Sequence, residues 1–354
     1  LSVPAIAVLV ISTLMLTLSV AKAGATPPPT TTYLALGDSI SFGYTEEKFN
    51  VNYPNEAPAF FEEGPANFFA KHLRQSTEVG KGLTLVNDSC PGETSNSLIG
   101  ENEAIGGKES TEPPGSNGPG DYHPCPYHQI EGFPLHNSLD DLSQLEEALS
   151  ILNEGKPAHE IKAITLNIGA NDELAAVGKC EKEVTEEFET EGKSKYGSTP
   201  EEAVRTCVAL SASAVFERIL QNMGDILGVI DSTNPGGGHY TGPIVLQGFY
   251  NPYTFVLPGS NGLQEALNEL IEEEVLPHFP NVTFANPFPV FNPVSETENQ
   301  QRKAICKYTE MCNPNVQKPG GKPAGEDGDI HPSLAGAKVL GRIINEAYLA
   351  NPAR

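Results

Sequence analysis

The sequence predicts an α/β fold: a parallel sheet with helices packed on both faces. Three observations carry that reading. Five short apolar, β-prone runs recur, at Tyr33 to Leu36, Leu83 to Val86, Ala163 to Ile168, Pro243 to Phe249 and Val282 to Ala285. None alternates strictly between polar and apolar residues, as strands buried on both faces need not. Helical patterns separate them, and strands alternating with helices imply parallel crossovers. The 354 residues, 38% of them hydrophobic, are ample for one core with surface insertions.

Each helical pattern has its own signals. From Ser138 to Gly155, Leu142, Leu145, Leu149 and Leu152 follow helical spacing, Asp141 holds the capping-box position and Gly155 is the stop. Thr199-Pro200-Glu201-Glu202 opens a second helix, with proline in the first turn, where a missing N–H costs no bond. That pattern runs, allowing one break, to about Ile230. Gly262 to Val275, Leu334 to Leu349 and Pro65 to Leu73 supply three more. Two stretches read as loop insertions: Gly100 to Pro126, rich in Gly, Pro and Ser, and the Glu/Lys-rich run from Gly178 to Gly197, reaching about residue 200.

Residues Leu1 to Val20 are almost wholly apolar and lead into Ala21-Lys22-Ala23-Gly24-Ala25, then Pro27 to Pro29. This is the form of a signal-peptide core with a small-residue cleavage site, after Ala23 or Ala25. The expected organisation is a leader over 1–25 and one domain over 26–354. An uncleaved anchor is the alternative, since about 20 apolar residues can span a bilayer. Either places the rest of the chain outside the cytosol.

The six cysteines all lie beyond the leader, and an even count in an exported chain implies three disulfides. Sequence alone leaves the pairing open; neighbour with neighbour is the expected set, Cys90–Cys125, Cys180–Cys207 and Cys306–Cys312. No CxxC occurs, so a zinc ribbon or thioredoxin-type site has no support. Acidic residues (46) outnumber basic ones (22), a net charge of −24. Such a surface repels phosphate backbones and anionic headgroups, which argues against a nucleic-acid partner. The sequons at Asn87 and Asn281 overlap predicted strands and are discounted.

The candidate chemistry sits where strands end. The first run closes on Leu36-Gly37-Asp38-Ser39-Ile40-Ser41, a serine on a tight glycine turn. In open α/β sheets the carboxyl edge holds the active site. The second run ends in Asn87-Asp88-Ser89-Cys90-Pro91-Gly92-Glu93-Thr94, and the third in Asn167-Ile168-Gly169-Ala170-Asn171-Asp172. Asp327-Gly328-Asp329-Ile330-His331-Pro332 precedes the last helix. The G-x-S-x-G elbow of α/β-hydrolases is absent, as is a G-x-x-x-x-G-K phosphate loop.

These four blocks, in this order from Leu34 to His331, resemble the SGNH (GDSL-type) hydrolase superfamily. The Cys-Pro-Gly of the second block and the late Cys306/Cys312 pair are similar to its secreted, disulfide-bearing bacterial lipases and esterases. The resemblance implies a flavodoxin-like three-layer α/β/α sandwich with a five-stranded parallel sheet. It also implies a serine ester hydrolase acting on a small-molecule or lipid ester without metal or cofactor, and it gives no ground for an obligate protein partner. Ser39 would be the nucleophile and His331 its base. The oxyanion donors would be the backbone N–H groups of Ser39 and Gly92 and the Asn171 side-chain amide. Glycine at 92 lets the backbone approach a substrate closely.

One position departs from the family pattern. The acid usually three residues before the histidine is Gly328 here. Asp329 is the expected substitute; Asp327 and a backbone carbonyl near Gly328 are the alternatives. Ser41 lies further from the strand end than a nucleophile should. Asp38, Asp88 and Asp172 read as turn or supporting groups. His123, Cys125 and His128 cluster in sequence, but an oxidised Cys125 cannot bind metal. His72, His136, His159, His239 and His278 have no recognisable partners. Two other functions stay open: removal of acyl groups from a polysaccharide or other polymer, and a catalytically silent surface protein that keeps the fold for binding.

Overall fold

The computed structural model describes residues 30–76, 79–100, 125–139, 142–153, 159–234, 236–254, 257, 259–294, 297–318, 322–323 and 328–354. The expected leader, most of the first insertion, Asp141, Gly155, His123 and Asp327 lie outside these residues.

Five strands form one sheet: β1 (Thr30–Gly37), β2 (Thr84–Asn87), β3 (His159–Asn167), β4 (Ile244–Gln247) and β5 (Val282–Ala285). All pairs are parallel, in the order β2-β1-β3-β4-β5. This is the flavodoxin-like order, and its direction reverses between β1 and β3. All five expected strands are present.

The helices in chain order are α1 (Ser39–Phe42), α2 (Glu46–Asn52), α3 (Pro65–Gln75), α4 (Ser95–Ile99), α5 (Pro126–Glu131) and α6 (Gln144–Asn153). They continue with α7 (Ala170–Glu191), α8 (Pro200–Asp231), α9 (Ser260–Leu270), α10 (Phe288–Phe291), α11 (Glu298–Tyr308) and α12 (Leu334–Ala350). The period of two along β1 splits the core into two layers. Leu34 and Leu36 join Leu145 of α6, Ile219, Met223 and Ile226 of α8, and Leu267 of α9. Tyr33 and Ala35 face the other way, onto Phe69 and Leu73 of α3 and Ile344 and Tyr348 of α12.

Three expectations need correction. The Glu/Lys-rich run 178–200 is not a loop insertion: α7 continues through it to Glu191 and closes on a left-handed Gly192. Glu, Lys and Ala are strong helix formers. A sparse buried stripe, Ala176, Cys180 and Val184 at four-residue spacing, gives the helix one inward face. The Cys180–Cys207 disulfide then fastens α7 to α8, joining two helices rather than the ends of a loop. The second correction is to α6, which begins at Gln144 and not Ser138. Ser143 and Glu146 form its cap: Ser143 N–H donates to Glu146 Oε2 at 2.8 Å, and Glu146 N–H to Ser143 Oγ at 3.1 Å. Leu139, upstream, packs instead against Cys90 and Cys125. Third, α8 runs unbroken from its Thr199 cap to Asp231.

The three disulfides join Cys90 to Cys125, Cys180 to Cys207 and Cys306 to Cys312, the neighbour pairing expected. Among the described residues no helix is long and apolar enough to cross a membrane.

Candidate active site

The Ser39 turn is built where β1 meets α1. Gly37 has φ +141°, and a Cβ there would lie 2.2 Å from the carbonyl oxygen of Asn167 on β3. Only glycine lets the two strand ends close this tightly. Asp38 then caps α1, accepting the Ile40 N–H at 2.8 Å. It is fully buried, and burial pushes its carboxyl up to about 7, against the Ile40 bond and the attraction of His331. Ser39 follows at the first position of α1, 9% exposed.

The second block lies alongside. Cys90 N–H donates to Gly37 O at 2.9 Å, carrying the chain beside the Ser39 turn. Gly92 has φ +80°, and a Cβ there would strike the Tyr127 ring at 2.3 Å. Asn171, at the start of α7, donates its side-chain amide to Glu93 O at 2.8 Å. The amide nitrogen carries two hydrogens, so this bond leaves the other to donate. Asp172 is the buried anchor behind both. Its carboxylate accepts from Ser95 N–H at 2.8 Å and Ser95 Oγ at 2.7 Å, and Asn222 of α8 donates to the same Oγ at 2.8 Å.

His331 reaches Ser39 from a loop outside the sheet. Its Nε2 lies 2.8 Å from Ser39 Oγ, and its Nδ1 contacts Asp329 Oδ1. Asp329 also accepts the His331 N–H at 3.1 Å through Oδ1 and the Glu46 N–H at 2.7 Å through Oδ2. Burial acts to raise the Asp329 carboxyl, but the charge and hydrogen bonds of His331 and the Glu46 bond outweigh it and lower its pKa. Burial opposes the His331 imidazolium, yet Asp329, by charge and by hydrogen bond, outweighs that and raises its pKa above the ordinary 6.5. Tyr44 packs edge-on against the imidazole at 4.8 Å.

The glycine at position 328 has a steric cause. A Cβ there would sit 2.0 Å from the Met311 carbonyl oxygen, so no aspartate fits where the family usually has one. The acid that contacts the imidazole stands one residue later.

Of the expected residues, Ser39, Gly92, Asn171, Asp329 and His331 line one cleft at the carboxyl edge of the sheet. Ser41 is buried and not among the cleft residues. Asp88 accepts from Asn137 at 2.8 Å. His136, read as partnerless, has a partner: its Nε2 lies 2.9 Å from Phe42 O and its ring packs on Phe42. Cys90, Glu93 and Cys125 lie close enough for a metal site, but both cysteines are oxidised to each other.

Sequence reading missed Gln144. This buried side chain accepts the Gly37 N–H at 2.8 Å through Oε1. Its Nε2 donates to Gly37 O at 2.8 Å and to Glu93 Oε2 at 2.6 Å. The Glu93 carboxylate in turn receives the Cys125 N–H at 3.3 Å. One amide thus ties the end of β1 to the loop that carries Gly92. The only signal in sequence was a polar residue at a core-facing helix position.

Fold and cleft together define a class: a three-layer α/β/α protein with a serine, a histidine and an aspartate in contact at the sheet's switch point. The chain belongs to the GDSL-like lipase/acylhydrolase family, whose model matches residues 33–344. It is thus a member of a family of ester hydrolases. No curated protein sequence matches it. Among solved structures it is similar to a candidate GDSL-like lipase of Parabacteroides merdae, at 16% identity and TM-score 0.41, over 91% of this chain and 96% of that one. It is also similar to an acetyl-xylooligosaccharide esterase of Geobacillus stearothermophilus, at 13% identity and TM-score 0.40, over 92% and 98%. A carbohydrate esterase family 2 enzyme with a carbohydrate-binding domain, from Corynascus (Myceliophthora fergusii), gives 14% identity and TM-score 0.42, over 92% and 68%.

Proposed function

We propose that this protein is a secreted carboxylic ester hydrolase, of the lipase or carboxylesterase type, acting through an acyl-enzyme on Ser39. The contact of His331 Nε2 with Ser39 Oγ at 2.8 Å, with Asp329 on the opposite ring nitrogen, carries the reading. A serine hydroxyl is a weak nucleophile at neutral pH and needs a base at hydrogen-bond distance. His331 takes the Ser39 proton as Oγ bonds to the ester carbonyl carbon. It returns that proton to the leaving alcohol as the ester C–O bond breaks. Water, deprotonated by the same imidazole, then attacks the acyl-enzyme, and the proton goes back to Ser39 as the acid leaves. Asp329 holds the tautomer with Nε2 free and stabilises the imidazolium.

The oxyanion formed at each attack would sit among the Ser39 and Gly92 N–H groups and the Asn171 amide. No step calls for a metal or cofactor. Three disulfides support export, since such bonds persist in oxidising compartments. Hydrolysis of p-nitrophenyl acetate by the wild type and by Ser39→Ala tests the reading. The expected loss is about a thousandfold or more. A variant that keeps a near-normal rate, or a wild type inert on every ester tried, sinks it.

A further inference from the structure

Helix α5 lies against the loop that carries Gly92, and the proposed function gives it no part. Gly92 is buried, and its N–H meets no acceptor among the described residues. A buried N–H without a partner is costly, so its place suits a ligand oxygen. Glycine enters the left- and right-handed regions with similar ease, so its own chemistry does not aim that N–H. A neighbour has to. At φ +80° the face of Gly92 where a side chain would stand is closed by α5. Apart from the adjoining Pro91 and Glu93, the three atoms nearest a Cβ built there are Tyr127 Cδ2 at 2.3 Å, Tyr127 Cε2 at 2.4 Å and Pro126 Cγ at 3.5 Å. The Tyr127 ring fills the place of the missing side chain.

This helix has only 6 residues, and it is fastened on both sides. Before it, Cys125 is bonded to Cys90 on the Gly92 loop, and Cys125 N–H donates to Glu93 Oε2 at 3.3 Å. After it, Gly132 turns the chain with φ +71°, and His128 Nδ1 lies 2.5 Å from Phe133 O. Phe133 is buried, its ring 5.5 Å from that of Phe42 and 5.5 Å from that of Phe61. Phe42 is the last residue of α1, the helix that begins with Ser39. The fastenings thus tie the Tyr127 ring to the Gly92 loop on one side and to the helix of the nucleophile on the other. Tyr127 lines the Ser39 cleft and is 39% exposed, more than a ring serving core packing would be.

We propose that Tyr127 is a positioning residue for the ester hydrolysis: its ring, held against Gly92, keeps the Gly92 N–H aimed at the oxyanion. The inference rests on the reading of Ser39 as nucleophile and of the Gly92 N–H as an oxyanion donor. No bond to Tyr127 forms or breaks. The ring acts through a donor that counts only once charge develops on the carbonyl oxygen, so its loss should appear in kcat and not in KM.

The test measures kcat and KM on p-nitrophenyl acetate, and inhibition by a trifluoromethyl ketone, for wild type, Tyr127→Ala, Tyr127→Leu, Tyr127→Phe and Ser39→Ala, with melting temperatures to verify folding. The serine oxygen adds to the ketone carbonyl carbon, the hydroxyl proton passes to the imidazole, and the carbonyl oxygen becomes an oxyanion that needs the same donors. Tyr127→Ala should lower kcat about tenfold or more, leave KM within about twofold and weaken inhibition by a factor similar to the loss in kcat. Tyr127→Leu should show the same split to a smaller extent, and it serves if Tyr127→Ala does not fold. Tyr127→Phe keeps the ring and should stay within about threefold of wild type on all three measures. A folded Ala or Leu variant with wild-type kcat overturns the inference. So does a loss confined to KM, or a Phe variant slowed about tenfold. Activity retained by Ser39→Ala would instead remove the acyl-enzyme reading itself, whatever the Tyr127 variants do.

Discussion

Ser39 and His331 stand 2.8 Å apart, yet the two sides of that contact are held by different means. Ser39 belongs to the sheet. Its turn is fixed by the Gly37 contact with Asn167, by the Asp38 cap and by the paired bonds of Gln144. His331 belongs to the connection between α11 and α12, outside the five-stranded sheet. It is hung from the end of α11 and the turn after it: Glu310 N–H donates to His331 O at 2.9 Å and Ser333 N–H to Tyr308 O at 3.0 Å. The Tyr250 hydroxyl donates to Ile330 O at 2.8 Å. The Cys306–Cys312 disulfide closes that same segment. A nucleophile at a strand end inherits the rigidity of the core, whereas a base on a loop needs its own fastenings.

The comparison can be broken most forcefully at the histidine's own support. Asp329→Asn should lower kcat by about a hundredfold or more, because it removes the acceptor that sets the tautomer. It should also move the acidic limb of the pH–rate profile. The base works only when neutral, and Asp329 raises its pKa, so the wild-type midpoint should lie above 6.5. In the variant burial acts unopposed by that charge, and the midpoint should fall. An unchanged midpoint would mean that another group orients the ring.

Gln144→Ala tests the sheet side. It strands the buried Gly37 N–H and removes a donor from Glu93, each loss costing about 1–3 kcal/mol. Melting temperature and kcat should fall together, with KM little changed. A variant stable as wild type would show that the amide does not brace the turn.

The smallest stability effect sharpens the contrast. The Cys306–Cys312 loop spans 6 residues, against 27 for Cys180–Cys207 and 35 for Cys90–Cys125. Chain-entropy estimates then give about 2 kcal/mol for the short loop and between about 3 and 4 for the others. Replacing Cys306 and Cys312 with serine should therefore cost least in melting temperature. It should nevertheless reduce kcat more than the Cys180/Cys207 pair does on acetate esters, because the short loop anchors the histidine. Equal losses of activity would show that the disulfide's location is immaterial.

Much of this architecture was legible in the chain. Buried parallel strands need apolar runs, and all five runs are strands. Glycine at 37 and 92 marked positions with positive φ and close neighbours. The helix of residues 178–191 escaped notice because its buried stripe is only one residue in four, too thin against a charged background. The start of α6 was misplaced because two capping signals compete within a few residues; in the fold Ser143 takes the cap, and its Oγ also donates to Ile99 O at 3.1 Å. The sequence reading left Asp329, Asp327 and a carbonyl open, since each lies within a short bend of His331. What no local pattern could show is that the fold sets Asp329 Oδ1 against His331 Nδ1 while the Glu46 N–H holds Oδ2.

By itself the sequence determined the local elements and the residue types at strand ends, because helix, strand and turn preferences act over a few neighbouring residues. Only the tertiary structure decided which atoms meet: Gln144 with Gly37 across 107 positions, Ser39 with His331 across 292, and an apolar cavity walled by three separate helices. Such contacts depend on packing and steric exclusion between segments remote in the chain, and no local pattern records them.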